Sequence, residues 1–298
     1  MVKLKFSIAL NYQVLDQSAD FIFNIHPAMT ERQTVLEEKL LISPAVDHQL
    51  LLSSCDGGRY IKLKAQAGPL RVYYEGVVGI DHFREDPCML REMSISDLPV
   101  DTLTFVYPSR YCQSDRLGAL ANFEFGHMVP GYGRVQAIQQ WVHKRTRFLS
   151  GSSGSTTSAV DTLIDHAGVC RDFAHLMISL CRALNIPARF VSGIDYGADP
   201  ALGPTDFHAY VEVMLSNRWY LFDPSGVSPP MGLLRLGTGR DAADVSFATV
   251  FGAVSSQSPV ITIQALPDEG QGFTLPAHHH DAFSSANQVS SIFRTITV

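Results

Sequence analysis

GVCRDFAHLMISLCRAL, residues 168–184, is the stretch whose reading decides the rest of the chain. Phe173, Leu176, Met177, Leu180, Cys181 and Leu184 share one face at the i, i+3, i+4, i+7 spacing of an amphipathic helix. Gly168 breaks what precedes it, and Asn185 and Pro187 end it. Cys170 therefore falls in the first turn. Unpaired N–H groups and the dipole at a helix N-terminus favour a thiolate, so a cysteine there is placed to be a nucleophile. Cys181, on the apolar face, reads as a small core residue. Asp172 reads as a first-turn residue that favours the dipole. His175 lies about 500° of helical rotation from Cys170, a poor direction for pairing, and reads as packing.

Downstream, ARFVSGI (188–194) reads as a strand. A loop with Gly197, Pro200, Gly203 and Pro204 follows, and FHAYVEVML, SN and RWYLFD read as a hairpin. With Ser216 and Asn217 as the two turn residues, Leu215 pairs with Arg218 and Tyr210 with Asp223. His208 then projects from the same face as Asp223. Such diagonal neighbours lie roughly 7–8 Å apart at Cα, within side-chain reach. Asp223 can accept from one imidazole nitrogen and leave the other for the thiol. A three-residue turn would put Asp223 on the opposite face. Taken singly, a His at a strand start is commonly a satisfied core or surface residue, and an Asp before Pro a turn former. The case rests on their joint placement. His166 remains a weaker rival base.

Upstream, residues 1–95 hold short alternating or β-branched runs such as KLKFSIALNYQV, FIFNIH and LRVYYEGVVGI, separated by turn-like CDGG and AGP. They predict an antiparallel β-sandwich. Residues 96–130, with Pro99, Pro108 and Pro130, read as a connector. From Arg134 to Phe148 the chain reads as a helix, with Val135, Ile138, Trp141 and Val142 in phase. Ser158 is placed to cap a short helix from Ala159 to about Asp165. Helices precede strands from 131 to 266, including the strand-like VITIQAL, so this domain is α+β rather than doubly wound. Trp141 and Trp219 read as core aromatics. Residues 267–298 read as a tail or extension.

The 298 residues are 46% hydrophobic and 17% charged, enough to bury a core. The net charge of −6 and the lack of a basic tract argue against nucleic acid as a partner. No apolar run is long enough to span a bilayer, and the N-terminus reads as a first strand rather than a signal peptide. Cys55, Cys88, Cys112, Cys170 and Cys181 are odd in number and scattered, which suits free thiols in a reducing, cytoplasmic compartment. His278, His279 and His280 lack the spaced Cys or carboxylate partners of a metal site and read as a solvated segment.

Three blocks, GVCRDFAHLMISLCRALNIPARFVSG, DFHAYVEVML and RWYLFDPSG, together resemble the transglutaminase-like superfamily. They are most similar to its bacterial group of transglutaminase-like enzymes and cysteine proteases. PSRYCQSD and GRDAADVSF also look like that group, and residues 1–95 resemble the β-rich domain that precedes its core. The resemblance spans about 105–265. It implies a papain-like α+β core with Cys170 as nucleophile, His208 as base and Asp223 as the residue that orients the His. The reaction implied is acyl transfer at a peptide or protein amide through a thioester, with no metal or organic cofactor. The Trp that helps hold the oxyanion in animal transglutaminases has no counterpart in STTSA, and neither do their calcium sites. Hydrolysis by a peptidase or amidase is the expected outcome. The rival readings are a transglutaminase joining glutamine to an amine, and a binding module that keeps the fold without turnover.

Overall fold

The structure, a computed structural model, describes residues 1–53, 56–199 and 204–287. Cys55, Pro200, Gly203 and the last residues of the expected tail, 288–298, lie outside the described residues. In chain order the N-terminal elements are β1 (Val2–Phe23), β2 (Gln33–Ser43), β3 (His48–Leu52), β4 (Arg59–Ile80) and β5 (Phe83–Glu85). Then come α1 (Gly118–Phe125), α2 (Tyr132–Arg145), β6 (Arg147–Phe148), α3 (Ala159–Asp165), β7 (Ala167–Gly168) and α4 (Cys170–Ala183). The chain continues with β8 (Ala188–Asp195), β9 (Phe207–Leu215), β10 (Arg218–Phe222) and β11 (Leu233–Gly239). It ends with β12 (Ala248–Phe251), β13 (Val254–Ser256), β14 (Val260–Ala265) and β15 (Ala282–Ser284).

The fold is α+β, with an N-terminal antiparallel sheet and a mixed core. Val2, Leu4, Phe6, Ile8 and Leu10 of β1 are buried while Lys3 and Lys5 between them are not, the alternation of a half-buried strand. KLKFSIALNYQV and the first three residues of FIFNIH lie in one 22-residue strand, and YIKLKAQAG and LRVYYEGVVGI lie together in another. AGP does not turn the chain. Gly68, at φ +126°, bends β4 opposite a register shift in β1 between Val14 and Ser18, and Pro69 pairs with Gln13 at that irregular point. β12, β13 and β14 pair antiparallel with β1, so residues 248–265, VITIQAL among them, complete this seven-stranded sheet.

The core sheet runs β10-β9-β8-β11. One face packs on the N-terminal sheet through Val191, Tyr210, Leu221 and Leu233. The other face, with Phe190, Val211, Val213 and Phe222, packs on α4, which α1, α2 and α3 enclose. α1 arises within the expected connector, burying Ala121 and Phe125. Every residue of α4 from Asp172 to Arg182 is buried. Arg182 therefore needs internal partners. Its guanidinium donates to Ala188 O at 2.9 and 3.0 Å, Arg240 O at 2.6 Å, and Tyr107 O and Ser109 Oγ at 3.1 Å. The C-terminal segment returns to pair β15 with β5, and Thr30 Oγ1 donates to Ser285 O at 2.7 Å. His278, His279 and His280 are exposed.

Candidate active site

Cys170 opens α4 as expected, and two small features set its place. Asp172 Oδ2 accepts from the Val169 backbone N–H at 2.8 Å, tying down the residue before the thiol. Gly168 is required because an added Cβ would stand 2.6 Å from Asp172 Cβ. The Cys170 side chain is partly exposed, with Sγ 3.9 Å from Phe207 O at the start of β9.

The hairpin forms in the expected register. Ser216 and Asn217 have φ of 45° and 63°, the two positive values that a two-residue type I′ turn requires. Leu215 pairs with Arg218 and Val211 with Phe222, which places Asp223 just beyond the ladder on the face of His208. His208 Nε2 lies 3.2 Å from Asp223 Oδ2, both side chains almost fully buried. Burial alone would depress the His208 pKa. The Asp223 charge and hydrogen bond, with a further hydrogen bond involving Cys170, overcome it and hold the imidazole well above its ordinary value. The Cys170, His208 and Asp223 side chains are thus brought together.

Asp223 is also the turn former its Pro neighbour suggested. Its Oδ1 accepts from Ser225 N at 2.9 Å and Ser225 Oγ at 2.5 Å, while Oδ2 meets His208 and, at 3.5 Å, the Ser228 N–H. Burial pushes its carboxyl upward, but His208 and Ser225 together bring it below the usual carboxylate range. Gln139 of α2 donates to the Asp223 carbonyl at 2.8 Å. Ser225 and Gln139 escaped the sequence reading. DPSG carries a signal for the first, since an Asp commonly caps the N–H two residues on. Gln139 has none.

The other candidates fall elsewhere. His175 is buried between Tyr111 and Phe190, and its Nε2 accepts from Ala242 N at 3.1 Å. Burial lowers its pKa to about 3, so it stays neutral and pins the 240s loop to α4. His166 is exposed, with Nδ1 3.1 Å from Arg145 O. Cys181 is buried, and burial raises its pKa, as befits a core thiol. Trp219 is buried under the Arg189 guanidinium, while Trp141 is half-buried beneath Arg145.

A cleft of about 720 Å³ opens on the pair, lined by Cys170 and His208 and walled by Phe207 stacked on Phe247 with centroids 4.3 Å apart. Asp195, at the end of β8, also lines it. β8 pairs Gly193 with His208, so Asp195, two residues on, shares the face of His208. Burial raises the Asp195 pKa; Asp223 adds to this, and His208 opposes it. Nothing in the sequence marks this residue, because an eleven-residue connection, 196–206, hides the β8–β9 register.

Residues 124–224 match the transglutaminase-like superfamily, and residues 2–101 match the bacterial transglutaminase N-terminal domain. A solved structure from Cytophaga hutchinsonii, described as a "Putative Cysteine Protease", superposes with a TM-score of 0.87 at 37% identity, covering 95% of this chain and 97% of that one. An uncharacterized protein of Mycobacterium leprae is 32% identical over 117 residues, 38% of this chain and 42% of the relative. One from Mycobacterium tuberculosis is 31% identical over 136 residues, 41% of this chain and 43% of the relative. Each match thus spans less than half of the curated relative. With both of its parts matched and a solved relative aligned from end to end, the chain belongs to the transglutaminase-like superfamily.

Proposed function

We propose that the protein is a cysteine-dependent amide hydrolase, a peptidase or amidase acting on a peptide or protein substrate. The observation that carries this reading is the placement of His208 between Asp223, at 3.2 Å, and the Cys170 thiol at the floor of an open cleft. With Nε2 committed to Asp223, the other imidazole nitrogen is left for the sulfur. An imidazolium held there favours the thiolate. The sulfur attacks the substrate carbonyl, and the N–H of Cys170, at a helix start where such groups lack intrahelical partners, donates to the oxyanion. His208 passes its proton to the departing amine, leaving a thioester on Cys170. Water, deprotonated by His208, then releases the acid and restores the thiol. Asp223 keeps the imidazole oriented and supports its charge. Four described cysteines are unpaired, which supports a reducing, cytoplasmic setting. No described helix is long and apolar enough to cross a membrane.

The test is product mass on a peptide mixture. Release of peptide fragments or ammonia, together with a Cys170-linked acyl adduct that hydroxylamine removes, is expected. Both should vanish in Cys170→Ser. Stoichiometric incorporation of an added primary amine would replace hydrolysis with transglutamination. No product and no adduct would favour a binding module.

A further inference from the structure

The acyl-transfer reading leaves one buried group without a use. Asp195 is only 5% exposed and lines the cleft; the Ser228 hydroxyl and its own backbone N–H lie by the carboxyl, but Oδ2 accepts no well-formed hydrogen bond and no described cation pairs with it. A buried carboxyl oxygen left so is costly, and a charged one more so. The facing charges do not relieve it. His208, on β9, is already paired with Asp223, and Asp223 is of like charge. The rest of the cleft has the same sign. Asp199 and Asp206 stand exposed at its mouth. Among the described lining residues the one arginine, Arg171, is turned to Ser153 Oγ at 3.1 Å, Gly154 O at 3.2 Å and Asp172 at 3.7 Å. Between mouth and floor runs the apolar wall of Phe207 and Phe247. An apolar wall leading to a buried, uncompensated acid complements a long basic side chain, whose alkyl stem packs while its charged head is paired.

We infer that the cleft is a subsite for a cationic group of the substrate, a lysine- or arginine-like side chain, with Asp195 as its buried anchor. The inference rests on Cys170 lying in the reactive cleft, but it is read out without turnover. Three methanethiosulfonates serve as probes: aminoethyl (cationic), its neutral isostere n-propyl, and sulfonatoethyl (anionic). In each, the Cys170 sulfur displaces methanesulfinate and forms a mixed disulfide, which intact mass locates. Rates are normalised to those of the unfolded protein. The cationic reagent should be favoured over the neutral one, and Asp195→Asn should cut that ratio of cationic to neutral rates about tenfold, the ratio cancelling any change in the reactivity of the thiol itself. Asp206→Asn, at the exposed mouth, should cut it by no more than about threefold. An unchanged preference in Asp195→Asn, or none in the wild type, overturns the subsite.

Binding of n-butylammonium to the Cys170→Ser protein, followed by calorimetry, reads the same subsite with no thiol at all. Saturable binding that Asp195→Asn abolishes supports it, and no saturable binding overturns it. Slow labelling of Cys170 by all three reagents, with butylammonium still bound, would instead count against the nucleophile and leave the subsite standing.

Discussion

Two buried ionic groups lie on one face of β9, His208 with Asp223 at its start and Glu212 with Arg189 and Arg235 farther along. Glu212 is completely buried and answered on both oxygens, by Arg189 at 2.7 Å and by Arg235. Arg189 is further covered by Trp219, 4.2 Å from its ring centroid. None of the Glu212, Arg189 and Arg235 side chains lines the cleft. The His208 pair is equally buried but opens on Cys170 and the cleft. Burial and pairing are thus common to the Glu212 cluster and to the cluster proposed to be reactive. What separates them is access, since His208 lines the cleft together with Cys170.

The widest separation is expected between activity and stability. Cys170→Ala or His208→Ala should lower turnover by about ten-thousand-fold or more while the folded state persists. Glu212→Gln should do the reverse, destabilising by about 3–5 kcal/mol because two buried guanidiniums lose their counter-charge, with turnover per folded molecule nearly kept. Urea unfolding beside single-turnover rates reads both. If Glu212→Gln abolished turnover in the folded protein, the two clusters would not be separable.

Asp223→Asn should cost about a thousand- to ten-thousand-fold in rate by disfavouring the imidazolium and loosening its orientation. Ser225→Ala should follow at about tenfold, since it removes only one hydrogen bond to Oδ1. Gly168→Ala tests the backbone beneath the thiol. Its methyl would meet Asp172 at 2.6 Å, and a loss of about 1–3 kcal/mol is expected together with slower thiol chemistry.

The smallest effect concerns pH. Burial lowers His175 and His82 to about 3 and His26 to about 4, so these rings stay neutral when folded, while the unfolded chain takes up protons below about 6.5. The unfolded state then binds more protons, and stability falls as pH drops from about 6.5 toward 3. His208 runs the other way. Its raised value contributes stability that is present below about 6.5 and lost as pH rises through its folded value. His82 has two buried nitrogens without partners, so His82→Phe should flatten the acid limb of a plot of Tm against pH without touching the alkaline limb. A flattened alkaline limb would reverse this assignment.

The parts of this site legible in the sequence are those set by local chemistry. α4 declares itself through its apolar period, and the hairpin through a turn pair able to take positive φ. The hairpin brings His208 and Asp223 within reach of one another before any long-range contact is known, whereas the approach of Cys170 to the start of β9 is a tertiary contact that only the resemblance implied. Asp195 stays hidden because the β8–β9 register depends on tertiary pairing across a long loop. The return of β12–β14 to β1 is equally non-local: VITIQAL shows that it is a strand but not which sheet it joins. AGP misleads because Gly and Pro mark a kinked strand as readily as a turn. Asp223 shows that a turn former and a partner of His208 are compatible roles, one for each carboxylate oxygen.

In the proposed mechanism His208 makes Cys170 a reactive sulfur. The most direct measurement is the rate of alkylation by limiting iodoacetamide at mildly acidic pH, mapped by mass to each cysteine, in the wild type and in His208→Ala. Exposed Cys88 is the internal standard, and Cys112, which burial raises to about 12, is the inert control. Cys170 is predicted to react at least about tenfold faster than Cys88, and to lose that advantage in His208→Ala. Equal rates at Cys170 and Cys88, or a fast Cys170 that ignores the loss of His208, would contradict it.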